Sequence, residues 1–267
     1  MTILKEILAE KRKEVAALKQ QPMKTTVHMN DRQIPRIIDT FTGSSHLNII
    51  AEIKRASPSK GALNLELDPV TQAKKYEAFG AGAISVLTDQ VFFKGSMQDL
   101  RAIRAAVDLP ILCKDFIIDP IQIDYAKANG ANIILLIAAA LSKDQFTTLY
   151  QYAKTQGLEV LCEVHQLEEL DIVLQQRAPI IGINNRNLHH FRVDLAVTEK
   201  ILPHIKGKAS VIISESGIRT ADHAKAVAGY GANAILVGES FVRAKNLAAT
   251  FADFQIALKA EGTEHVR

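Results

Sequence analysis

Three apolar runs in this 267-residue chain end in groups that could move protons: Glu52 and Lys54 in IIAEIK, Lys114 in ILCK, and Glu163 in EVLCEV. Alternation along a strand turns Glu52 and Lys54 to one side, opposite Ile53. Charges inside an apolar strand are costly to bury unless they meet partners. Lys114 follows Ile111-Leu112-Cys113 directly. At the end of a strand it can hold a substrate anion or deliver a proton. Burial would raise the proton affinity of Glu163, and a nearby lysine would lower it. Lys114 and Glu163 are therefore candidates for an acid/base pair drawn from different strands. Taken singly, each also fits a plain solvated strand end. His165 reads as a loop or helix-cap histidine in preference to a titrating group.

Later runs end in residue types suited to anions and hydroxyls. In GINNRN, Asn184 can orient a hydroxyl and Arg186 can bind a carboxylate or phosphate with two hydrogen bonds. The last two runs end in Ser-Glu-Ser-Gly (Glu215, Ser216, Gly217) and Gly-Glu-Ser (Gly238, Glu239). Small residues let backbone N–H groups approach a phosphate closely. No nucleotide-binding loop, metal cluster or Ser/His/Asp triad competes. These residue types alone point to an enzyme without cofactor or metal, acting on a small phosphorylated and carboxylated substrate.

The elements that must position these groups follow from hydropathy. Eight short apolar runs occur: Ile49–Ile53, Ala83–Leu87, Ile111–Cys113, Ile133–Ile137, Glu159–Cys162, Ile180–Ile183, Val211–Ile213 and Ala234–Val237. Between them lie segments of helical period, among them Val70–Phe79, Ser96–Val107, Lys143–Thr155 and Ala221–Ala228. Gly-Ala recurs before strands at Gly80, Gly130 and Gly231, where a left-handed cap would turn each helix back into a strand. The pattern predicts an α/β fold, a (β/α)8 TIM barrel, with an open doubly wound sheet as the alternative. Ahead of it, apolar residues at Ile3, Leu4, Ile7, Leu8, Val15 and Leu18 predict a helix stopped near Pro22. Residues 23–30 show no period, and a short helix is expected from Ile34 to Phe41. Residues 1–45 thus read as a helical extension of one barrel domain spanning 1–267, with no second enzyme expected after it.

Composition narrows the class further. Hydrophobic residues make up 48% and charged residues 23%, enough for a core that needs no disulfide or metal. A net charge of +3, evenly spread, is too weak to suggest nucleic acid. Cys113 and Cys162 lie in apolar runs and read as reduced buried thiols, and no CxxC suggests zinc. Charges interrupt the N-terminus, which excludes a signal peptide, and no run approaches the ~20 apolar residues of a membrane span. The expected location is the cytoplasm.

At these residues the chain resembles the indole-3-glycerol-phosphate synthase family of tryptophan biosynthesis. The resemblance rests on AEIKRASPSKG (Ala51–Gly61), LTDQVFFKGS (Leu87–Ser96), CKDF (Cys113–Phe116), EVH (Glu163–His165), GINNRNL (Gly182–Leu188), SESGI (Ser214–Ile218) and LVGES (Leu236–Ser240). It covers essentially the whole chain. The first block is nearly diagnostic, whereas the glycine-rich blocks are shared with other phosphate-binding barrels. The resemblance implies a carboxy-lyase that converts 1-(2-carboxyphenylamino)-1-deoxyribulose 5-phosphate to indole-3-glycerol phosphate, CO2 and water without a cofactor. It implies Lys114 as general acid on the ketose oxygen and Glu163 as the second acid/base group. Lys54 would engage the substrate's anionic groups, and Glu52 would hold the lysines. Asn184 and Glu215 would orient sugar hydroxyls. Ser57 and Arg186 would face the cavity, and Phe93 and Phe116 would wall the aromatic ring. Ser216, Gly217, Gly238 and Glu239 occupy the phosphate-loop positions. Glu239 stands where many relatives carry a small residue, so only its N–H is expected to serve. The implied partner is a phosphorylated small molecule, with no nucleic acid or membrane, and the expected assembly is a monomer or weak homodimer. A phosphoribosylanthranilate isomerase-like barrel and a non-catalytic barrel acting as a binding partner remain as alternatives.

Overall fold

A computed structural model describes residues 2–20, 33–188 and 190–258. The eight apolar runs become eight parallel strands: β1 (Asn48–Ile53), β2 (Ala83–Leu87), β3 (Ile111–Lys114), β4 (Ile133–Ile137), β5 (Glu159–Val164), β6 (Ile180–Asn184), β7 (Val211–Glu215) and β8 (Ala234–Val237). Each pairs with its neighbours in sequence, and β8 pairs back onto β1 through Asn48↔Ala234 to Ala51↔Val237. The sheet is therefore a closed barrel, and the open-sheet alternative is excluded.

Closure sorts the side chains into two sets. Ile50, Leu112, Leu135, Leu161, Ile213 and Leu236 fill the barrel interior. Ile49, Ala51, Cys113, Cys162 and Ile212 face the surrounding helices. Because side chains alternate, Glu52, Lys114, Glu163 and Glu215 each lie two residues beyond an interior residue, on the inner face (Ile50, Leu112, Leu161 and Ile213). Both cysteines are free and buried, as their apolar context predicts.

The helices begin where capping residues stand. Asp68 accepts the Thr71 N–H and Pro69 opens α3 (Pro69–Ala78). Ser96 caps α4 (Met97–Ala106). Reciprocal capping boxes start α5 (Pro120–Ala128) with Asp119 and Gln122, and α6 (Lys143–Thr155) with Ser142 and Gln145. The ring continues with α7 (Leu170–Gln175), α8 (Ala196–Ile205), α9 (Ala221–Tyr230), α10 (Glu239–Val242) and α11 (Leu247–Phe254). Gly80, Gly130 and Gly231 all have positive φ, as the repeated Gly-Ala junction predicts. Among the described residues, no helix is long and apolar enough to cross a membrane.

The N-terminal extension supplies α1 (Ile3–Gln20), two residues short of Pro22, which lies with residues 23–30 outside the described part. The helix α2 (Ile37–Phe41) starts three residues later than its pattern suggests. Pro35 holds Ile34 out of the helical region, and the Glu159 carboxylate accepts the free N–H groups of Ile37 and Ile38 at 2.9 and 3.1 Å. On α1, Ile7 and Val15 are buried as expected, and so is Lys11, which falls on the same stripe. Its ammonium meets Glu14 at 2.7 Å, Asp89 at 2.9 Å and Asp115 at 2.7 Å. Burial lowers the proton affinity of Lys11, but Asp115 and Asp89 outweigh it and raise the pKa.

Candidate active site

One cavity opens at the carboxyl ends of the strands, where this architecture carries its chemistry. Glu52, Lys54, Ser57, Phe93, Lys114 and Phe116 line it, with Glu163, Asn184, Arg186, Ser216, Gly217, Gly238 and Glu239. Every residue singled out from sequence therefore reaches this space except Glu215. That carboxyl is fully buried and reaches the cavity only through neighbours that line it, Lys114 and Glu163.

Lys114 stands at the centre. Its Nζ lies 3.1 Å from Glu52 Oε2 and 3.2 Å from Glu215 Oε2, bridging β1 and β7 from β3. Lys54 Nζ donates to the other Glu52 oxygen. Burial lowers the proton affinity of Lys114, but Glu52, Glu215 and Glu163 outweigh it and hold the ammonium well above the usual lysine range. Burial pushes Glu52 upward, and the two lysines overcome it, leaving its carboxylate at about 2. Glu215 goes the other way. Burial, helped by the Glu163 charge and opposed by Lys114, pushes it up to about 8. The site thus holds one buried carboxylate and one buried carboxylic acid on either side of one ammonium, the separation that assigns acid and base roles.

That separation has a consequence for stability. Folded Glu215 binds a proton between its ordinary 4.5 and about 8 that the unfolded chain has released. Folding stability therefore falls as pH rises through that window. Glu215→Gln is expected to flatten this slope, read from thermal melts across the same interval. Parallel slopes for both proteins would contradict the assignment.

Two glycines make room for the acids. A Cβ at Gly182 would lie 2.1 Å from Glu215 Oε1, and one at Gly238 would lie 2.4 Å from Glu52 Oε1. Gly238 is thus required by Glu52 whatever binds near its N–H. Glu239 turns its side chain toward Arg243, 3.5 Å away, so its carboxylate has a partner at the C-cap of α10. In the β7 loop, Ser216 and Gly217 both have positive φ, at 63° and 85°. Asn185, buried, holds this loop by donating to Ser214 Oγ, Glu215 O and Ser216 O. Ser240 Oγ donates to Ile218 O at 2.6 Å, tying the β8 loop to the β7 loop.

The rest of the wall comes from loops and from α1. A short hairpin, Ala56–Ser57 against Gly61–Ala62, follows β1. Arg186 Nη1 donates to Ser59 Oγ at 3.2 Å, joining that hairpin to the β6 loop. Burial lowers the pKa of Arg186, against the opposing charges of Glu239 and Glu52. Phe93 and Phe116 meet at 6.2 Å between ring centroids and form an apolar corner. Ile3, Leu4 and Ile7 of α1 complete it.

Several contributors escaped the sequence reading. Ile3, Leu4 and Ile7 were legible as a helical stripe but not as cavity wall. Lys11 interrupts that stripe, and a lysine at an apolar position was its signal. Arg219, beside Gly217, also lines the cavity. His165 lies in the bend after β5, as a loop residue would, but it is buried: Nε2 lies 3.2 Å from Glu163 Oε1, and the side chain is 8% exposed.

Comparison with known proteins agrees with this geometry. The family model described as indole-3-glycerol phosphate synthase matches residues 4–254. A protein of that name from Oceanobacillus iheyensis is 53% identical over 260 residues, covering 97% of this chain and 98% of its own. Its counterparts from Exiguobacterium sibiricum and Bacillus thuringiensis are 51% identical over 92% of this chain and 46% identical over 96%, covering 94% and 98% of their own lengths. Among solved structures, a phosphoribosylanthranilate isomerase from Thermotoga maritima superposes with a TM-score of 0.55 at 12% identity, covering 78% of this chain and 96% of its own. A thiamine phosphate pyrophosphorylase from Pyrococcus furiosus gives 0.58 at 18%, covering 78% and 93%. These last two share the fold alone. With the family model matched across nearly its whole length, the chain belongs to the indole-3-glycerol phosphate synthase family.

Proposed function

We propose that this cavity closes the indole ring of indole-3-glycerol phosphate from 1-(2-carboxyphenylamino)-1-deoxy-D-ribulose 5-phosphate, in the cytoplasm, with the chain's own side chains as acids and bases. The observation that carries the reading is that Lys54, Lys114 and Glu163, from three parts of the sequence, line one cavity that extends to Gly217 and Gly238.

The roles follow from the charges. Ring closure joins the carboxylated ring carbon to the ketose carbonyl carbon, and negative charge develops on the carbonyl oxygen. Lys114 meets that charge. An ammonium held so firmly is a weak acid, but an alkoxide is a strong base, so the proton moves late and the fixed positive charge acts first. Loss of CO2 then restores aromaticity. The new hydroxyl leaves as water when Glu163 supplies a proton, and a C–H proton is lost to form the indole double bond. Lys54 and Arg186 hold the substrate's anionic ends. Backbone N–H groups of the β7 and β8 loops, at Ser216, Gly217, Gly238 and Glu239, face the phosphate. Asn184 and Ser57 orient hydroxyls, and Phe93 and Phe116 flank the aromatic ring. Glu215, below the floor, acts on the substrate through Lys114.

The test is turnover. Purified protein given the carboxyphenylamino ribulose phosphate is expected to generate indole absorbance and fluorescence. Given phosphoribosylanthranilate, it is expected to do nothing. Cys113, the thiol beside Lys114, faces the outer helices and is pushed up to about 12 by burial, so it offers no base to the cavity. Product binding without turnover would favour a non-catalytic barrel and end the proposal.

A further inference from the structure

Proton balance, on the reading of function given above, sets a requirement that the cavity residues do not meet by themselves. The substrate's carboxylate leaves as neutral CO2. The carbonyl oxygen gains two protons and leaves as water, while one carbon-bound proton is released. Each turnover therefore takes up one proton from outside. Lys114 and Glu163 both line the cavity that the substrate fills, so while it is occupied a second path from solvent is needed.

Directly after β5, His165 is placed to provide one. Its Nε2 approaches Glu163 Oε1 at 3.2 Å from the side away from the cavity, which Glu163 lines and His165 does not. Its Nδ1 faces Glu169 Oε2 at 3.6 Å. That carboxylate is fixed in turn, because Glu169 Oε2 accepts the His165 backbone N–H at 2.7 Å. Both ring nitrogens are buried and neither makes an aligned hydrogen bond among the described residues, so the two carboxylates are their nearest charged neighbours. The imidazole is thus suspended between two carboxylates, one of them in the site and one in the short turn Leu167–Glu169 outside it.

We propose that His165 is a positioning and proton-relay residue for Glu163, oriented by Glu169. When Glu163 has given up its proton, His165 Nε2–H passes one to Glu163 Oε1. The imidazole then regains a proton from water. Glu169, on the Nδ1 side, stabilises the charged ring. Burial lowers the pKa of His165, but Glu169, Glu163 and, from β7, Glu215 outweigh it and raise it above the ordinary value. The charged, proton-loaded form therefore persists to higher pH than in an ordinary histidine and is lost as pH rises further.

His165→Asn in the full chain is expected to lower kcat roughly tenfold or more, since a positioned acid or base contributes about 10²–10⁴-fold and a relay is partly replaceable by water. KM should hold, because the anion-binding side chains are untouched. Added imidazole should restore part of kcat. Glu169→Gln keeps the backbone hydrogen bond while removing a charge, so the alkaline limb of the kcat profile should move to lower pH. Wild-type kcat and pH profile in both variants would overturn the relay. So would a loss of kcat, KM and thermal stability together that imidazole does not relieve. An NMR titration of the imidazole separates this proposal from the functional reading, because it needs no turnover. His165 should titrate above an ordinary histidine and shift down in Glu169→Gln, and an unshifted titration would sink the pairing even in an active enzyme.

Discussion

Lys114→Ala is expected to lower kcat by roughly 10²–10⁴-fold, the span that a placed general acid contributes, while leaving the barrel folded. The fold survives because each neighbour has somewhere to turn. Glu52 keeps Lys54, and Glu215, already pushed up to about 8 by burial, can hold its proton. What disappears is an ammonium that touches carboxyls from both β1 and β7. Indole fluorescence measures the rate, and circular dichroism checks the fold. Lys114→Arg keeps a charge but replaces a compact ammonium with a planar fork. It should therefore recover substrate binding more than kcat. Near-wild-type turnover in Lys114→Ala would show that the charge at this position is not part of the chemistry.

The largest stability effect is expected away from the cavity floor, at Lys11→Met. Removing one partner from a buried ion cluster leaves the others uncompensated, which typically costs about 3–5 kcal/mol. Here the abandoned groups are Asp89 and Asp115, buried at the ends of β2 and β3. In a chain of this size that energy corresponds to on the order of 10 °C in Tm. Activity should fall as well. Asp115 adjoins Lys114, and α1 carries Ile3, Leu4 and Ile7 into the cavity wall. Adding Asp89→Asn should restore part of the loss, because one orphaned charge goes with it, and a thermal melt of single and double variants reads the coupling. A Lys11→Met protein within about 1 kcal/mol of wild type would show that α1 is held by its apolar stripe alone.

These two sites differ in how far they could be read in advance. Lys114 was legible because an ammonium directly after three apolar strand residues has few bland explanations. Glu52 and Glu163 were legible for the same reason. Lys11 does not stand out by residue type in a charged helix, although its spacing from Ile7 and Val15 puts it on the buried stripe. The burial of His165 between carboxylates was not legible, because a histidine after a strand has many ordinary uses and its second carboxylate lies in a turn with no pattern of its own. Glu215 stands at a strand end, as its sequence predicts, and is fully buried there. Its burial under Lys114 follows from the missing side chain at Gly182 on the neighbouring strand.

Hydrophobic periodicity, cap residues and strand-end chemistry are local properties, so residue order alone determined the eight strands, most helix limits and the candidate acids and bases. Partnerships are not local. Lys114 and Glu215 are 101 residues apart and meet only because β8 closes onto β1 and curls every inner face toward one axis. Which carboxyl stays ionised, which keeps its proton, and which helix walls the cavity were decided there, by distance and burial in three dimensions.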